Sequence, residues 1–573
     1  MTKWYINNKK DNYNLLNKYE NLTSLQKRIL ANRDVVDEIE VYSFINPGLD
    51  GLNDPYDFVD MEKAINRIVS SFESGEKIRI VGDYDQDGVA STVILMKGLG
   101  YFHPNISYVI PNRLEDGYGI NKDIIDEALK DDISLIITCD NGIAANETIA
   151  YANEKKIDVI VTDHHNPQYV DGLETCPNCL IINPKMEREK YPFKELCGAG
   201  VAFKLVEALF LAIGEDPKYL YDLLQFAALG TICDMVDLIG ENRLIVIEGL
   251  KVLNKRTNKG LDALLSANSW SKEVTAYTVG FIIGPCINST GRLFTARLGV
   301  ELFLEENEDN IEAYTYELVS LNNERKAMTK KFFEEIDSNL DKNSDIIIEY
   351  NKNIHESICG LVAGRLKEKY QKPALIFTDS SDEHIIKGSG RSVDGFDMFE
   401  ELSKYKSLYT AFGGHKMACG LSLNIENYSK LKSYLLKAAE GKEFEKKIDI
   451  DVPYPIDRIN GALIEEIEYL KPFGKRMEKP LFADKDVNIA RLEMIGKNSD
   501  VMRLSLEKNR VQIKAIMFKA EEYYAYLEEK FGPDLALSIK GEKNNNNIDL
   551  VYYPEWNEFG GYKKMQLMIR DLR

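Results

Sequence analysis

The chain has 573 residues and a formal net charge of −20, from 72 Lys and Arg against 92 Asp and Glu. Because a single hydrophobic core stops growing near roughly 250–300 residues, we expect two to four domains. Hydrophobic residues make up 44% of the chain and charged residues 29%, which excludes a disordered or collagen-like protein. The overall field would repel nucleic acid, so a nucleic-acid partner would have to be held by a local basic groove.

No targeting or membrane segment is recognisable. Residues 1–8 lack the apolar region of a signal peptide, and no segment offers 18 consecutive apolar residues. We therefore expect a cytoplasmic protein without a membrane partner. The eight cysteines show no disulfide framework, and most are expected to be buried free thiols. Cys176 and Cys179 form a lone CxxC pair, which we interpret as part of a loop, with a zinc or redox site as the alternative.

Between Lys77 and Pro184 short apolar runs alternate with amphipathic stretches, which is the pattern of βαβ units. Helical spacing occurs between some of the runs, at 121–130 and 144–155. We predict an α/β domain with a doubly wound, mainly parallel sheet whose ligands gather at the carboxyl ends of the strands. The predicted strands are 78–81, 106–110, 135–138, 159–162 and 180–182.

The rest of the chain changes character twice. Residues 199–229 and 243–340 have mostly helical patterns and predict a helical connector, and a second, smaller α/β domain follows with Gly-rich turns at 387–392 and 412–415. Alternating patterns at 501–506, 511–518 and 565–569 suit a small C-terminal β-barrel or sandwich. The predicted boundaries are 1–50 for an N-terminal segment, 51–240 for the first α/β domain, 241–340 for the connector, 341–445 for the second α/β domain and 446–573 for the barrel.

Three carboxylates lie where the first predicted strand ends. Asp83, Asp85 and Asp87 are spaced by two residues, and three anions so close to one another need a cation. With Gly88 they match the start of a calcium-binding EF-hand loop, but Ile94 stands where that loop requires Glu, and a strand precedes the motif instead of a helix. Taken alone, the motif leaves open a metal site and a solvated acidic turn.

Two more predicted strands end on residues of the same kind. Asp140 follows the third strand, and Asp163, His164 and His165 follow the fourth, in a chain with only six histidines. Asp234 follows a helical run and is either a further ligand or an ordinary helix-terminal acid. Carboxylate oxygens together with an imidazole nitrogen favour Mn²⁺ or Mg²⁺, whereas a thiolate-based zinc site would need cysteines. Two such ions would support phosphoester hydrolysis.

The triplet Asp163-His164-His165 resembles the motif that names the DHH phosphoesterase family. The similarity continues over 83–88, 111–119, 197–200 and 285–292, and then over 387–392 and 412–420, which are similar to the associated DHHA1 substrate-binding domain. It covers roughly residue 78 to the C-terminus, although 475–480 departs from the family's usual entry to its OB-fold domain. The resemblance implies a DHH domain, a helical connector, a DHHA1-like domain and an OB-like barrel.

The same resemblance implies an activity. It is that of a 5′→3′ exonuclease with two Mn²⁺ ions, or Mg²⁺ as an alternative, that hydrolyses single-stranded DNA to nucleoside 5′-monophosphates in DNA repair and recombination. Helicase and single-strand-binding protein partners are implied as well. Two alternatives stay open: a phosphodiesterase for short oligonucleotides or cyclic dinucleotides, and a non-catalytic DNA-binding scaffold.

Carried over residue by residue, the resemblance implies three groups of site residues. The implied metal ligands are Asp83, Asp85, Asp87, Asp140, His164 and Asp234. The implied catalytic residues are Asp140, Asp163, His164 and His165, with Asp163 orienting the adjacent imidazoles and His165 nearer the scissile phosphate. The implied DNA contacts are Arg113, Asn288, Arg292, Ser389, Arg391, Gly413, Gly414 and His415. Arginine agrees with this role because guanidinium groups bind phosphate oxygens bidentately.

Overall fold

The computed structural model describes residues 2–112, 119–496, 500–559 and 561–573. These residues form two compact units. The larger unit comprises Asn53–Val236 and Ile245–Lys446, and the barrel unit comprises Thr2–Leu52, Asp237–Leu244 and Lys447–Arg573. Within the described ranges, every helix is too short or too polar to span a membrane.

The N-terminal segment belongs to the barrel unit. Its elements are β1 (Lys3–Ile6), α1 (Lys10–Leu15), α2 (Ser24–Asn32) and α3 (Glu38–Ile45). Strand β1 pairs in parallel with Lys447–Ile450, and the Trp4 indole donates to Asp571. These contacts join residues more than 400 positions apart, so local sequence patterns could not reveal them. The two-unit division does not test the predicted boundaries, which stay predictions.

The larger unit begins with the predicted parallel sheet. Its strands have the order β3-β2-β4-β5-β8, all parallel, and β6 and β7 form a separate hairpin. Alternate residues face opposite sides, so that Ile136, Val159 and Val161 pack with α6 and α7 while their neighbours face the other way. All five predicted strands are confirmed. The elements are α4 (Met61–Ser74), β2 (Lys77–Val81), α5 (Gln86–Gly100), β3 (Ile106–Val109), α6 (Lys122–Lys130), β4 (Ile133–Cys139), α7 (Asn146–Glu154), β5 (Asp158–Thr162), β6 (Gln168–Val170), β7 (Leu173–Thr175) and β8 (Leu180–Ile182).

Helices follow, as the sequence predicts. Helix α8 packs against α5, and most residues of both helices are buried, which explains why their apolar residues are not confined to one face. Cys176 and Cys179 lie in the loop before β8, and all eight cysteines are free thiols, five of them buried. The helices are α8 (Gly198–Ile213), α9 (Pro217–Asp222), α10 (Leu224–Cys233), α11 (Gly240–Leu253), α12 (Lys259–Ala267), α13 (Ala276–Thr278), a π-helical turn (Val279–Ile283), α14 (Gly284–Leu293), α15 (Arg297–Leu304) and α16 (Glu308–Asn339).

The second α/β domain is confirmed, but its Gly-rich segments are strands and not turns. Residues 387–391 lie in β11 and 412–415 in β12 of a mixed sheet with the order β12-β13-β11-β10-β9. A Cβ on Gly388 would lie 2.4 Å from the Phe377 ring, and one on Gly390 would lie 2.2 Å from Met398 Sδ. These glycines therefore allow close packing of the sheet, and the prediction of a turn at 387–392 is wrong. The elements are β9 (Ile347–Tyr350), α17 (Glu356–Tyr370), β10 (Ala374–Asp379), β11 (Ile385–Arg391), α18 (Met398–Ser403), β12 (Tyr409–His415), β13 (Ala418–Asn424) and α19 (Tyr428–Ala439).

The C-terminal residues form the predicted β-barrel. Strand β16 pairs with both β17 and β19, which closes the ring β16-β17-β18-β20-β19. Alternate side chains such as Leu504, Leu506, Leu550 and Leu567 fill its interior. The elements are β14 (Lys447–Ile450), β15 (Val452–Pro453), α20 (Gly461–Glu468), β16 (Phe482–Ile495), β17 (Val501–Lys508), β18 (Val511–Phe518), α21 (Glu521–Phe531), α22 (Leu535–Lys540), β19 (Asn547–Phe559) and β20 (Tyr562–Leu572).

Candidate metal centre and phosphate-binding residues

The acidic and histidine motifs meet at one edge of the parallel sheet. Strands β2, β4 and β5 are neighbours, and the chain leaves each of them into one of the motifs. Asp140 directly follows β4 with a φ of 62°, a left-handed conformation that Asp tolerates better than most residues. Asp85 caps α5, because its Oδ1 accepts hydrogen bonds from the backbone N–H groups of Asp87 and Gly88 at 2.8 and 3.1 Å.

Three overlapping groups of side chains have the spacing of metal ligands. Each residue of a group offers one ligand atom, and all the ligand atoms of that group lie within 4.8 Å of one another. His164 Nε2 is 3.1 Å from Asp140 Oδ1, 3.7 Å from Asp234 Oδ2 and 3.8 Å from Asp87 Oδ2. All six residues of the predicted ligand set are therefore brought together. The groups are Asp83, Asp85 and Asp140; Asp87, His164 and Asp234; and Asp140, His164 and His165.

Burial and mutual repulsion make this cluster unfavourable without a cation. Burial, reinforced by neighbouring carboxylates, raises the pKa of Asp87 to about 6, that of Asp234 to about 7 and that of Asp140 well above its usual range. Burial also lowers the pKa of His164 to about 4, so its imidazole is neutral and available to a cation. Its Nδ1 is buried and has no hydrogen-bond partner among the described residues. An oxygen-rich donor set with one neutral imidazole fits a hard divalent ion such as Mn²⁺ or Mg²⁺.

Asp163 lies beneath the two histidines and not among the three ligand groups. Its Oδ1 accepts hydrogen bonds from the backbone N–H groups of His164 and His165, and its Oδ2 accepts one from Ile143 N–H. Burial raises the pKa of Asp163, but its hydrogen bond with His165 and the charge of that ring outweigh burial and lower it. Burial lowers the pKa of His165, whereas the hydrogen bond with Asp163 raises it, to about 9. His165 is therefore held as a cation with about half of its side chain exposed.

The N-terminus of α8 supports the cluster in a way that sequence reasoning missed. The backbone N–H groups of Gly198 and Ala199 donate to the two oxygens of Asp87 at 2.7 and 2.9 Å. A Cβ on Gly198 would lie 2.6 Å from the Cβ of Asp140, and one on Gly230 would lie 2.3 Å from Asp87 Oδ1. A helix N-terminus stabilises a carboxylate through its free N–H groups and its dipole. The glycines at the start of α8 were the available signal.

Asn141 is a second residue that sequence reasoning missed. Its buried amide donates to the carbonyl groups of Val81 and Cys139 and accepts from Ile120 N–H. It thereby joins the ends of β2 and β4 beside Asp140. No spacing rule distinguishes such an Asn from a turn residue.

Four of the predicted phosphate contacts cluster around α14 and α17. Asn288 Oδ1 accepts a hydrogen bond from Gln86 N–H at 2.8 Å, which places α14 against the Asp83–Asp87 loop. Arg292 donates to the carbonyl of Ser357 at 2.7 Å, in the first turn of α17. Ser389 and Arg391 lie against Gly360 of the same helix, at 2.8 and 2.7 Å from where its Cβ would be. These contacts connect the cluster of candidate metal ligands with the second sheet.

The remaining predicted contacts are placed differently. Gly413, Gly414 and His415 lie on the exposed edge strand β12, and none of the contacts above includes them. Gly414 has a φ of 137°, and a Cβ there would lie 2.4 Å from the Ala418 carbonyl oxygen, so the position requires glycine. Arg113 lies outside the described residues.

Comparison with known proteins agrees with this architecture. Family models match at 77–231 (DHH family, N-terminal domain), 343–441 (DHHA1 domain) and 450–571 (RecJ OB domain). The single-stranded-DNA-specific exonuclease RecJ of Haemophilus influenzae is 31% identical over 551 residues, which cover 91% of this chain and 92% of that protein. The chain belongs to the RecJ family.

Other RecJ proteins are similar over most of this chain. That of Escherichia coli is 29% identical, with 96% of both chains covered, and that of Bacillus subtilis is 35% identical over 90% of this chain but 64% of its own length. The crystal structure of Thermus thermophilus RecJ with Mn²⁺ has a TM-score of 0.81 at 23% identity and covers 100% of this chain and 79% of that one. A second structure, exonuclease RecJ bound to manganese, has a TM-score of 0.59 at 30% identity over 68% of this chain and 96% of that one.

Proposed function

We propose that this chain is a metal-dependent exonuclease that removes nucleoside 5′-monophosphates from the 5′ end of single-stranded DNA, in DNA repair and recombination. The observation that carries the proposal is the convergence of five acids and one imidazole at the edge of the parallel sheet, where His164 Nε2 lies within 3.8 Å of three carboxylates. The RecJ protein of Haemophilus influenzae is named a single-stranded-DNA-specific exonuclease, which supports the substrate, and the polarity is the one that the motif resemblance implies.

Two divalent ions, Mn²⁺ in preference to Mg²⁺, suit the donor set. Asp140 and His164 each belong to two of the three ligand groups, so the groups overlap at these two residues, and the neutral imidazole of His164 would offer one nitrogen to one ion. The proposed ligands are Asp83, Asp85, Asp87, Asp140, His164 and Asp234. Such ions, when bound, activate a water molecule and stabilise the oxygens of an in-line displacement at phosphorus.

The protein's own groups position the substrate and move charge. Asp163 fixes the ring of His165, whose cationic form is placed to neutralise charge on the scissile phosphate or to donate a proton to it. Arg292, Arg391, Ser389 and Asn288 offer guanidinium, hydroxyl and amide groups to the phosphates that follow. His415 and the two glycines before it would approach the strand from the exposed edge of the second sheet, and Arg113 completes the proposed set.

The net charge of −20 requires that DNA be held locally. When arginines bind the phosphates of a DNA strand, the strand releases counterions. The affinity of the protein for single-stranded DNA should therefore fall steeply as the salt concentration rises. The OB-like barrel is a fold that commonly binds single strands, and we propose that role for it here. A helicase and a single-strand-binding protein are the proposed partners, in the cytoplasm.

Degradation of one oligonucleotide, labelled at either end, tests the proposal. We expect progressive loss from the 5′ end with Mn²⁺, slower loss with Mg²⁺ and none with chelator. Cleavage confined to dinucleotides would favour the short-substrate phosphodiesterase instead. An intact strand that the protein binds would favour the non-catalytic scaffold.

A further inference from the structure

Two solvent-exposed aromatic side chains are stacked on each other at the surface of the larger unit. Tyr277 lies in α13 and Phe281 in the π-helical turn that follows it, with ring centroids 4.7 Å apart and an interplanar angle of 25°. Their exposed fractions are 60% and 67%. A pair of large rings that packs against itself and not into the core has apolar surface available to a ligand.

The π-helical turn contacts the end of α10, next to Asp234. The Val279 carbonyl lies 4.0 Å from the Sγ atom of Cys233, and a Cβ on Gly284 would lie 2.5 Å from the same sulfur. Cys233 is the last residue of α10, and Asp234, a proposed metal ligand, caps that helix. The aromatic pair is therefore carried by a segment that contacts the helix end presenting Asp234. π-Helical turns within α-helices are frequent at functional sites.

The aromatic pair also shares a helix face with two proposed phosphate contacts. Residues 276–293 are continuously helical, and Tyr277, Phe281, Pro285, Asn288 and Arg292 follow one another at intervals of four, four, three and four residues. Positions at these intervals lie on one face of a helix. None of the five is buried. One accessible face of the helix thus runs from the aromatic rings to the residues that border the cluster of candidate metal ligands.

We propose that Tyr277 and Phe281 form a stacking platform for nucleobases of the single-stranded DNA substrate. This inference rests on the proposed function, since it assigns the platform to the strand being degraded. Polar and cationic groups at one end of the face suit phosphates, and exposed rings at the other suit bases, which is the combination that holds single strands without sequence preference. Two side chains offer too little area for a stable protein interface, so a nucleobase is the better occupant.

The test combines a double variant with a change in the DNA. We expect Tyr277→Ala with Phe281→Ala to raise the KM for a 20-nucleotide single strand about tenfold, because stacking contributes roughly that factor per base. An oligonucleotide of the same length with abasic positions should raise the KM of the unaltered protein comparably and that of the double variant little further. The single variant Tyr277→Phe keeps both aromatic rings and should have the KM of the unaltered protein.

Tyr316→Ala is the matched control, because Tyr316 is 77% exposed on α16 and should leave the KM unchanged. Circular dichroism and thermal melting establish that the double variant is folded. If the unaltered protein degrades DNA and the double variant has the same KM, the platform is refuted while the proposed function stands. If the unaltered protein leaves single-stranded DNA intact, both are refuted.

Discussion

Asp163 Oδ1 lies 2.8 Å from Nδ1 of His165 and determines both the orientation and the charge of that ring. The same oxygen accepts hydrogen bonds from the backbone N–H groups of both histidines, so one buried carboxylate orders the turn after β5. The first acid of the triplet therefore acts on the histidines and is not itself among the ligand groups.

Asp163→Asn should lower kcat on single-stranded DNA by about 10–100-fold, the usual cost of losing a group that orients a ligand. The amide keeps the size of the side chain but has a single acceptor oxygen and cannot accept the four hydrogen bonds of the Asp163 carboxylate. Steady-state degradation of a labelled oligonucleotide measures the effect. Asp158→Asn, at the exposed start of the same strand, is the control and should change kcat less than twofold. An unchanged kcat in Asp163→Asn would refute the orienting role.

Asp140→Asn should abolish hydrolysis and yet stabilise the protein when metal is absent. Asp140 belongs to two ligand groups, and burial beside other carboxylates disfavours its charge, so a neutral isostere removes repulsion. Asn also tolerates the φ of 62°. Thermal melting with chelator should give a higher Tm than for the unaltered protein, and the rise in Tm on adding Mn²⁺ should shrink. Full activity with an intact Mn²⁺ response would contradict the metal assignment.

Gly198→Ala should impair the metal centre without unfolding α8. The added Cβ would lie 2.6 Å from the Cβ of Asp140, so either the helix start or the carboxylate has to move. We expect a loss of Mn²⁺ affinity, measured by calorimetry, and at least a tenfold loss of kcat, because metal sites tolerate little displacement. Gly364→Ala is the matched helical control: no atom lies within 4 Å of its added Cβ, and it should stabilise α17 by up to about 1 kcal/mol.

Asp451→Ala should destabilise the barrel unit by about 3 kcal/mol, because it leaves the guanidinium of Arg33 buried without its partner. The two side chains are 2.5 Å apart and only 10% and 6% exposed, and Asp451 also accepts Leu481 N–H. Urea unfolding followed by fluorescence measures the change. The exposed pair Lys563 and Glu558 supplies the control, since Glu558→Ala should cost less than about 1 kcal/mol. Equal costs would contradict the docking of the N-terminal segment by this pair.

Arg391→Ala should weaken the binding of single-stranded DNA and reduce its dependence on salt. If Arg391 neutralises one phosphate, the slope of log K against log salt should fall by roughly one. Fluorescence anisotropy at several salt concentrations, with chelator present, measures the slope. Lys404→Ala is the control: Lys404 is the C-cap of α18, its ammonium already pairs with Glu401, and its replacement should leave the slope unchanged. An unaltered slope in Arg391→Ala would exclude a phosphate contact at this position.

The sequence by itself determined the strand ends and the chemistry that they carry. Apolar runs that stop at Asp83, Asp140 and Asp163 predict strands whose carboxyl ends meet in a parallel sheet, since βαβ connections allow little else. The helical connector and the alternating strands of the barrel also follow from local periodicity. These features depend on residues close together in the chain, and the family motifs then supplied the candidate roles.

The tertiary structure decided what depends on residues far apart. That Gly198 and Ala199 donate to Asp87, that Asn288 meets the acidic loop, and that residues 2–52 pack with the barrel are facts of long-range packing. The glycines of β11 read as turn residues because a sequence shows the missing side chain but not Phe377 and Met398, which occupy the space. Glycine permits a turn and a close approach equally, and only the folded chain shows which of the two it serves.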